Sequence, residues 1–264
     1  MNFISKLIVK TKSQITKVQC GFRKTEVFQG PPPSLMDKET VLKKIAQVPV
    51  WCHTIELGHG LVTPGIQGGI DYPTGTINLL RNLKLPEDLK GKSVLDIGAW
   101  DGFFSFAAEK RGASRVLAID NFYRGSDLEW TGSRGFETAK EILSSKVEFK
   151  KANVYDLNPQ DFGMFDIVLF PGVFYHLKHP LLALEKIYSV CREMLIMETH
   201  YEPYYFKKAL PLAHFYERRE TNRDETTWWG FNEAGLLAAI RSTGFKNPEV
   251  LFRYADRIGV KAFK

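Results

Sequence analysis

The chain has 264 residues, 44% hydrophobic and 25% charged, ordinary globular proportions that exclude a disordered or fibrous protein and allow one large domain or two small ones. Its three cysteines (Cys20, Cys52, Cys191) are odd in number and widely spaced, which excludes a disulfide framework and a Cys-x-x-Cys metal clip and points to a reducing, cytoplasmic setting; no run of about 18 apolar residues announces a membrane span. The formal net charge of +6 resides in residues 1–25, where Lys6, Lys10, Lys12, Lys17, Arg23 and Lys24 stand without an acid, leaving 30 basic against 30 acidic residues in a neutral body.

In residues 1–30, Phe3, Ile4, Leu7, Ile8, Ile15 and Val18 recur at roughly helical spacing among those cations. A basic amphipathic leader of this kind suits an anionic membrane surface, RNA, a partner or a targeting role, and equally a solvated helix. Gly30-Pro31-Pro32-Pro33 is a stiff break that opens an N-terminal cap region, residues 31–90. Within it Asp37-Lys38-Glu39-Thr40 starts a short helix ending before Pro49, residues 51–75 are glycine-rich loop with short strands, and a helix runs from about 76 to 83. From residue 91 strands and helices alternate: strands at 93–97, 115–119, 147–149, 165–170 and 194–197, helices near 102–111, 131–145 and 179–190. Such alternation predicts a parallel sheet covered on both faces. Residues 201–230 interrupt it with a lid-like, aromatic-rich insertion, or a helical element completing the core. Residues 232–243 then form a helix stopped by Gly244, and strands at 249–254 and 257–263 are too close for a crossover and must pair antiparallel.

The most informative stretch is Val94-Leu95-Asp96-Ile97-Gly98-Ala99-Trp100-Asp101-Gly102. An apolar strand ends in an acid, a glycine turn follows, and a helix begins, which is where open α/β sheets bind ligands. Gly98 lets backbone approach a ligand, and Gly102 lets helix and strand pack closely. A dinucleotide loop would place glycine where Trp100 stands. Eighteen residues beyond Gly102, Asp120 closes the second strand ahead of Asn121, placed to accept from ribose hydroxyls. The Asp-x-Gly-x-x-x-Gly loop resembles motif I of the class I S-adenosylmethionine-dependent methyltransferases. The resemblance implies a seven-stranded, mostly parallel Rossmann-like sheet with a terminal antiparallel hairpin, and S-adenosylmethionine as cofactor. It also implies that the Asn153 side chain and the Val154 amide read the adenine edge, an Asn where the family usually has Asp. Asp96, Gly98, Ala99, Trp100, Gly102, Asp120, Asn121, Asn153, Val154 and Pro171 are thus the candidate cofactor residues.

The fourth strand leads into Pro171-Gly172-Val173-Phe174-Tyr175-His176. This segment is similar to the broad subgroup that includes the tRNA wobble-uridine carboxymethyltransferase, as are Met197-Glu198-Thr199, Trp228-Trp229-Gly230-Phe231-Asn232 and the upstream block beginning Trp51-Cys52-His53. In this fold the segment leads toward the acceptor pocket. A hydroxyl acceptor must lose a proton, for which histidine is suited near neutral pH. His176 is the first candidate base and His53 the second, with Tyr175 orienting the acceptor; His176 could equally be a backbone-bonded helix starter. His179 precedes a proline and reads as a cap, and no metal site is expected.

The leading expectation is methylation of a small-molecule acceptor, on oxygen. The alternatives are methyl or carboxymethyl transfer to tRNA, or a silent binding module of the same fold. The carboxymethyltransferase's upstream Lys-Gly-Pro-Phe is Gln29-Gly30-Pro31-Pro32 here, and its C-terminal Arg-Thr-Glu-Trp has no counterpart. A tRNA face would need Lys207, Lys208, Arg218, Arg219 and Arg223 to gather.

Overall fold

A computed structural model describes residues 35–66, 75–121, 132–203, 209–217, 219–221 and 224–264. The basic leader lies outside the described residues, as do Lys207, Lys208, Arg218 and Arg223. Helix α1 (Lys38–Gln47) opens where the Asp37 side chain accepts from the Thr40 amide at 2.9 Å, and α2 (Thr76–Asn82) follows. Then come β1 (Ser93–Ile97), α3 (Phe103–Lys110), β2 (Arg115–Asp120), α4 (Arg134–Ile142), β3 (Glu148–Lys151), α5 (Pro159–Phe162), β4 (Phe165–Pro171), α6 (Pro180–Val190) and β5 (Cys191–His200). Two short strands, β6 (Ala213–Phe215) and β7 (Trp229–Phe231), precede α7 (Glu233–Ser242), β8 (Lys246–Tyr254) and β9 (Arg257–Phe263).

The main sheet has seven strands in the order β3-β2-β1-β4-β5-β9-β8. The first five run parallel, and β9 inserts antiparallel between β5 and β8. The expected sheet and hairpin are therefore present. Side-chain alternation builds two cores: Val94 joins Val116, Ala118, Ile167 and Leu169 on one face, while Leu95 and Ile97 join Leu117, Ile119 and Val168 on the other. The first face is closed by α3, α4 and the cap residues Val41, Trp51, Leu57 and Leu80; the second by α6 and α7. The cap thus shares one core with the sheet. Chain order reverses between β1 and β4, so their carboxyl ends flank the crevice where such sheets bind ligands.

The structure differs from the sequence expectation in three places. Strand β5 extends to His200, because its ladder with β9 continues from Met194↔Phe263 to His200↔Arg257 beyond the apolar run. Strand β3 is a short, charged, mostly exposed edge strand shifted toward Lys151. Within 201–230 the described residues form an antiparallel pair, Ala213↔Phe231 to Phe215↔Trp229, rather than a helix.

Helix α7 ends where the sequence places its stop. Gly244 has φ +106°, and an added Cβ would stand 2.8 Å from the Tyr188 ring. Gly244→Ala is expected to cost about 1–2 kcal/mol and to lower Tm by roughly 2–8 °C in a thermal melt. An unchanged Tm would show that the Tyr188 ring gives way and that the left-handed backbone is not strained.

Candidate active site

The loop after β1 is held by its own neighbours. The Gly98 and Ala99 amides donate to the Ile119 carbonyl at 2.9 and 3.2 Å, and the Trp100 amide donates to Asp120 Oδ2 at 2.9 Å. Trp100 itself adopts a left-handed backbone, φ +52°, strain of the kind kept at functional sites. A phosphate-binding loop offers its amides to an anion; here those three amides are spent on the protein, and the neighbouring side chains are acids. The crevice suits a cationic, hydroxyl-rich ligand.

Asp96, at 1% exposure, donates nothing to that scheme but a carboxylate: Oδ2 accepts from Ser105 Oγ at 2.5 Å, and Oδ1 has no hydrogen-bond partner among the described residues. Burial pushes its pKa up to about 6, against the Ser105 hydrogen bond and the charge of His53. A buried, unmet carboxylate oxygen beside the loop is a polar group with acceptor capacity to spare. Asp120 turns toward the loop, with Asn121 exposed behind it. Asn153 caps a 3-10 turn (Val154–Asp156): its Oδ1 accepts from the Tyr155 amide at 3.1 Å, and its own amide donates to Asp156 at 2.8 Å. One lone pair of Oδ1 is committed to that cap, and the second is the one that could accept from an adenine amine. Val154 is buried.

Three expectations are corrected in detail. An added Cβ on Gly98 would stand 2.3 Å from Val173 Cγ2, so the close approach Gly98 permits is to the segment after Pro171 of β4. At Gly102 a Cβ would stand 2.6 and 2.7 Å from Phe106 of α3 and Phe136 of α4, so the close packing it permits is between helices rather than between helix and strand. His53 does not face an acceptor: it is 5% exposed, its Nδ1 is in a very short ion pair with Asp101, and its ring stacks on Phe103 at 5.7 Å. It belongs to the support of the loop.

After β4, a 3-10 turn (Phe174–His176) presents Tyr175 and His176 side by side, ring centroids 4.0 Å apart. His176 Nδ1 lies 3.0 Å from the Thr226 carbonyl and 2.9 Å from Thr226 Oγ1, whose own hydrogen goes to Asp224 at 2.6 Å. Both Thr226 oxygens therefore accept, and Nδ1 carries the hydrogen they share. The Tyr175 carbonyl accepts from the Trp228 amide at 2.8 Å, tying this turn to the segment that leads into β7. His179 caps α6 and its amide donates to Tyr155 Oη at 3.1 Å.

Several neighbours were given no individual role in the sequence reading, although Glu198 stands in its Met197-Glu198-Thr199 stretch. Glu198 and Arg257 form a bidentate pair, 2.7 Å through Nη2, and the guanidinium lies 4.6 Å from the Tyr175 ring centroid. Burial opposes the Arg257 charge, but Glu198 and Tyr175 raise its pKa above the ordinary value. His200, at 3% exposure, meets Asp256 through Nδ1 at 3.2 Å and Tyr216 Oη through Nε2 at 3.0 Å, while Tyr216 donates a very short hydrogen bond to Glu202. The available signal was the one that marked Asp96 and Asp120: polar residues, here Glu198 and His200, closing an apolar strand. Among the described residues no group of three or more His, Cys, Asp or Glu is arranged to hold a metal ion, and no helix is long and apolar enough to cross a membrane.

Comparison with known proteins agrees with this geometry. A tRNA U34 carboxymethyltransferase of Pseudomonas fluorescens is 31% identical over 115 residues, 42% of this chain and 34% of that protein. One from Campylobacter hominis is 32% identical over 103 residues, 39% of this chain and 33% of that protein. The matched stretch thus spans about a third of these relatives' length. The crystal structure of the N-terminal domain of EvdMO1, in the presence of SAH and D-fucose, has a TM-score of 0.61 at 20% identity, covering 86% of this chain and 97% of that one, a likeness of fold. Residues 95–194 match the family described as a methyltransferase domain. Strand order, loop and family match agree: residues 95–194 match a methyltransferase domain, and the chain resembles the class I S-adenosylmethionine-dependent methyltransferases.

Proposed function

We propose that this chain transfers a methyl group from S-adenosylmethionine to a hydroxyl of a small-molecule acceptor, with His176 as general base. The observation that carries the reading is His176 Nδ1 anchored on Thr226 at 3.0 Å, which orients the ring at the end of the strand that flanks the crevice. The cofactor, when bound, supplies an electrophilic methyl on a sulfonium. Asp120 would take the ribose hydroxyls, Asp96 Oδ1 the ammonium, and Asn153 with the Val154 amide the adenine edge. Displacement from a sulfonium depends on alignment, worth about 7–11 kcal/mol in the best-oriented cases. Tyr175, braced by Arg257, would form the wall that aligns the acceptor, and His176 would remove its proton, typically ~10²–10⁴-fold in rate. Cys52 and Cys191 are buried and form no disulfide among the described residues, which supports a reducing, cytoplasmic setting.

A second reading, transfer to tRNA, is favoured by the matched relatives. Two features weigh against it. Arg257, the cation beside Tyr175, is already matched by Glu198, so a carboxylated donor would have to compete for it. Arg219 pairs with Glu225 at 2.5 Å rather than standing ready for phosphate.

Asp120→Ala is expected to weaken S-adenosylmethionine binding about 10- to 100-fold by calorimetry, the range of charge-assisted hydrogen bonds; wild-type protein giving no heat overturns the cofactor reading. His176→Ala is expected to lower turnover ~10²–10⁴-fold at unchanged cofactor affinity, measured as S-adenosylhomocysteine release with a hydroxyl acceptor. Release that requires added tRNA would favour the second reading, and release with no acceptor of either class would leave a silent module. Cofactor affinity should also fall as pH drops through about 6, because Asp96 then takes a proton and loses the charge that attracts the ammonium. A flat titration there would show that Asp96 does not hold it.

A further inference from the structure

The cofactor loop is gripped from outside by the N-terminal cap. Asp101, 1% exposed within the loop, accepts from the Cys52 and His53 amides through Oδ2, both at 2.8 Å, and pairs with His53 Nδ1 through Oδ1. The segment that supplies these partners is itself locked. The Trp51 indole donates to the Ile45 carbonyl at 3.1 Å, the Ile66 amide donates to the Trp51 carbonyl at 2.9 Å, and Thr63 Oγ1 donates to the His53 carbonyl at 2.6 Å. The His53 ring stacks on Phe103 and stands edge-on to Phe104 and Trp100, whose centroids are 5.8 and 6.5 Å away. One imidazole thus touches the cap, the loop and the first turn of α3.

We propose that His53 is a positioning residue for the cofactor: as an imidazolium fastened to Asp101, it fixes the loop at residues 98–102 and supplies the positive charge facing Asp96. The charged and titratable groups facing the ring are Asp101 of the loop, Cys52 of its own segment and Asp96 at the end of β1; the remaining walls are aromatic. Two carboxylates buried within one small volume repel each other and favour protonation. A cation paired with Asp101 whose charge also reaches Asp96 favours the ionised form of Asp96, which then offers Oδ1. Burial works against the imidazolium, but the attraction of Asp101, helped by Cys52, outweighs it and raises the His53 pKa well above the ordinary histidine value. A raised histidine contributes fully below its unfolded-state value, still contributes at neutral pH, and loses its contribution as pH climbs through the folded-state value.

This inference rests on the reading that the loop holds S-adenosylmethionine, and two measurements separate the two. Calorimetry with S-adenosylhomocysteine on wild type and His53→Gln, from neutral to alkaline pH, reads the coupling. Gln keeps a hydrogen-bond donor and removes the charge. Wild-type affinity should decline in the alkaline range, while His53→Gln should bind about tenfold more weakly at neutral pH, the scale of one lost charge-assisted contact, with a flat alkaline profile. Equal neutral affinities, or parallel pH profiles, overturn the proposal. Nitrogen NMR of the His53 ring in ligand-free wild type should show both nitrogens protonated at neutral pH; a neutral ring overturns the proposal even if His53→Gln fails to fold. Wild type that binds no cofactor overturns the reading of the loop, and with it the proposed coupling, while the ring measurement still decides the ion pair.

Discussion

Three carboxylates buried at the carboxyl edge of one sheet impose the constraint that organises this molecule. Asp96, Asp101 and Glu198 are each no more than 2% exposed, and a carboxylate taken out of water is costly unless cations and donors replace the solvent. Asp101 is answered by the cap through two amides and His53. Glu198 is answered by the terminal hairpin through Arg257. Asp96 is answered in part, by Ser105, with Oδ1 left over. Cap, loop and hairpin are parts distant in sequence, and each is drawn to the edge by the acid it neutralises. The third case is incomplete, and it is on that unmet oxygen that the proposal of a cationic ligand rests.

The sheet was legible because its strands are buried on both faces and therefore read as continuous apolar runs ended by glycine turns. The cofactor edge was legible for a related reason: Asp96 and Asp120 break such runs at one definite place. Legibility failed where polar residues are buried by partners far along the chain. The polar tail of β5 looked like the end of a strand because Glu198 and His200 are stabilised by Arg257 and Asp256, more than 50 residues on. His53 looked like an eligible base since local sequence shows a histidine but not the carboxylate that encloses it. Gly98 was assigned correctly as a point of close approach but to a ligand rather than Val173, whose distance from it is set only by the β1–β4 pairing. Asp224 and Thr226 gave no signal of their own, because they act only through a ring 50 residues away.

The histidines beyond the end of β4 and β5 differ in how they are held. His200 meets the Asp256 carboxylate through Nδ1 and Tyr216 Oη through Nε2, so both ring nitrogens are engaged. Its bonds join the end of β5 to the β8–β9 turn and, through Tyr216, to the strand pair of residues 213–231. His176 is anchored at Nδ1 on the Thr226 carbonyl and hydroxyl. Nearly complete burial marks His200 as a tie between β5 and the 213–231 strand pair, whereas His176 is partly exposed, at 17% of its side chain. His53 is committed as His200 is, to Asp101, so the proposal for His176 rests on a ring that is anchored and partly exposed where the other two are buried.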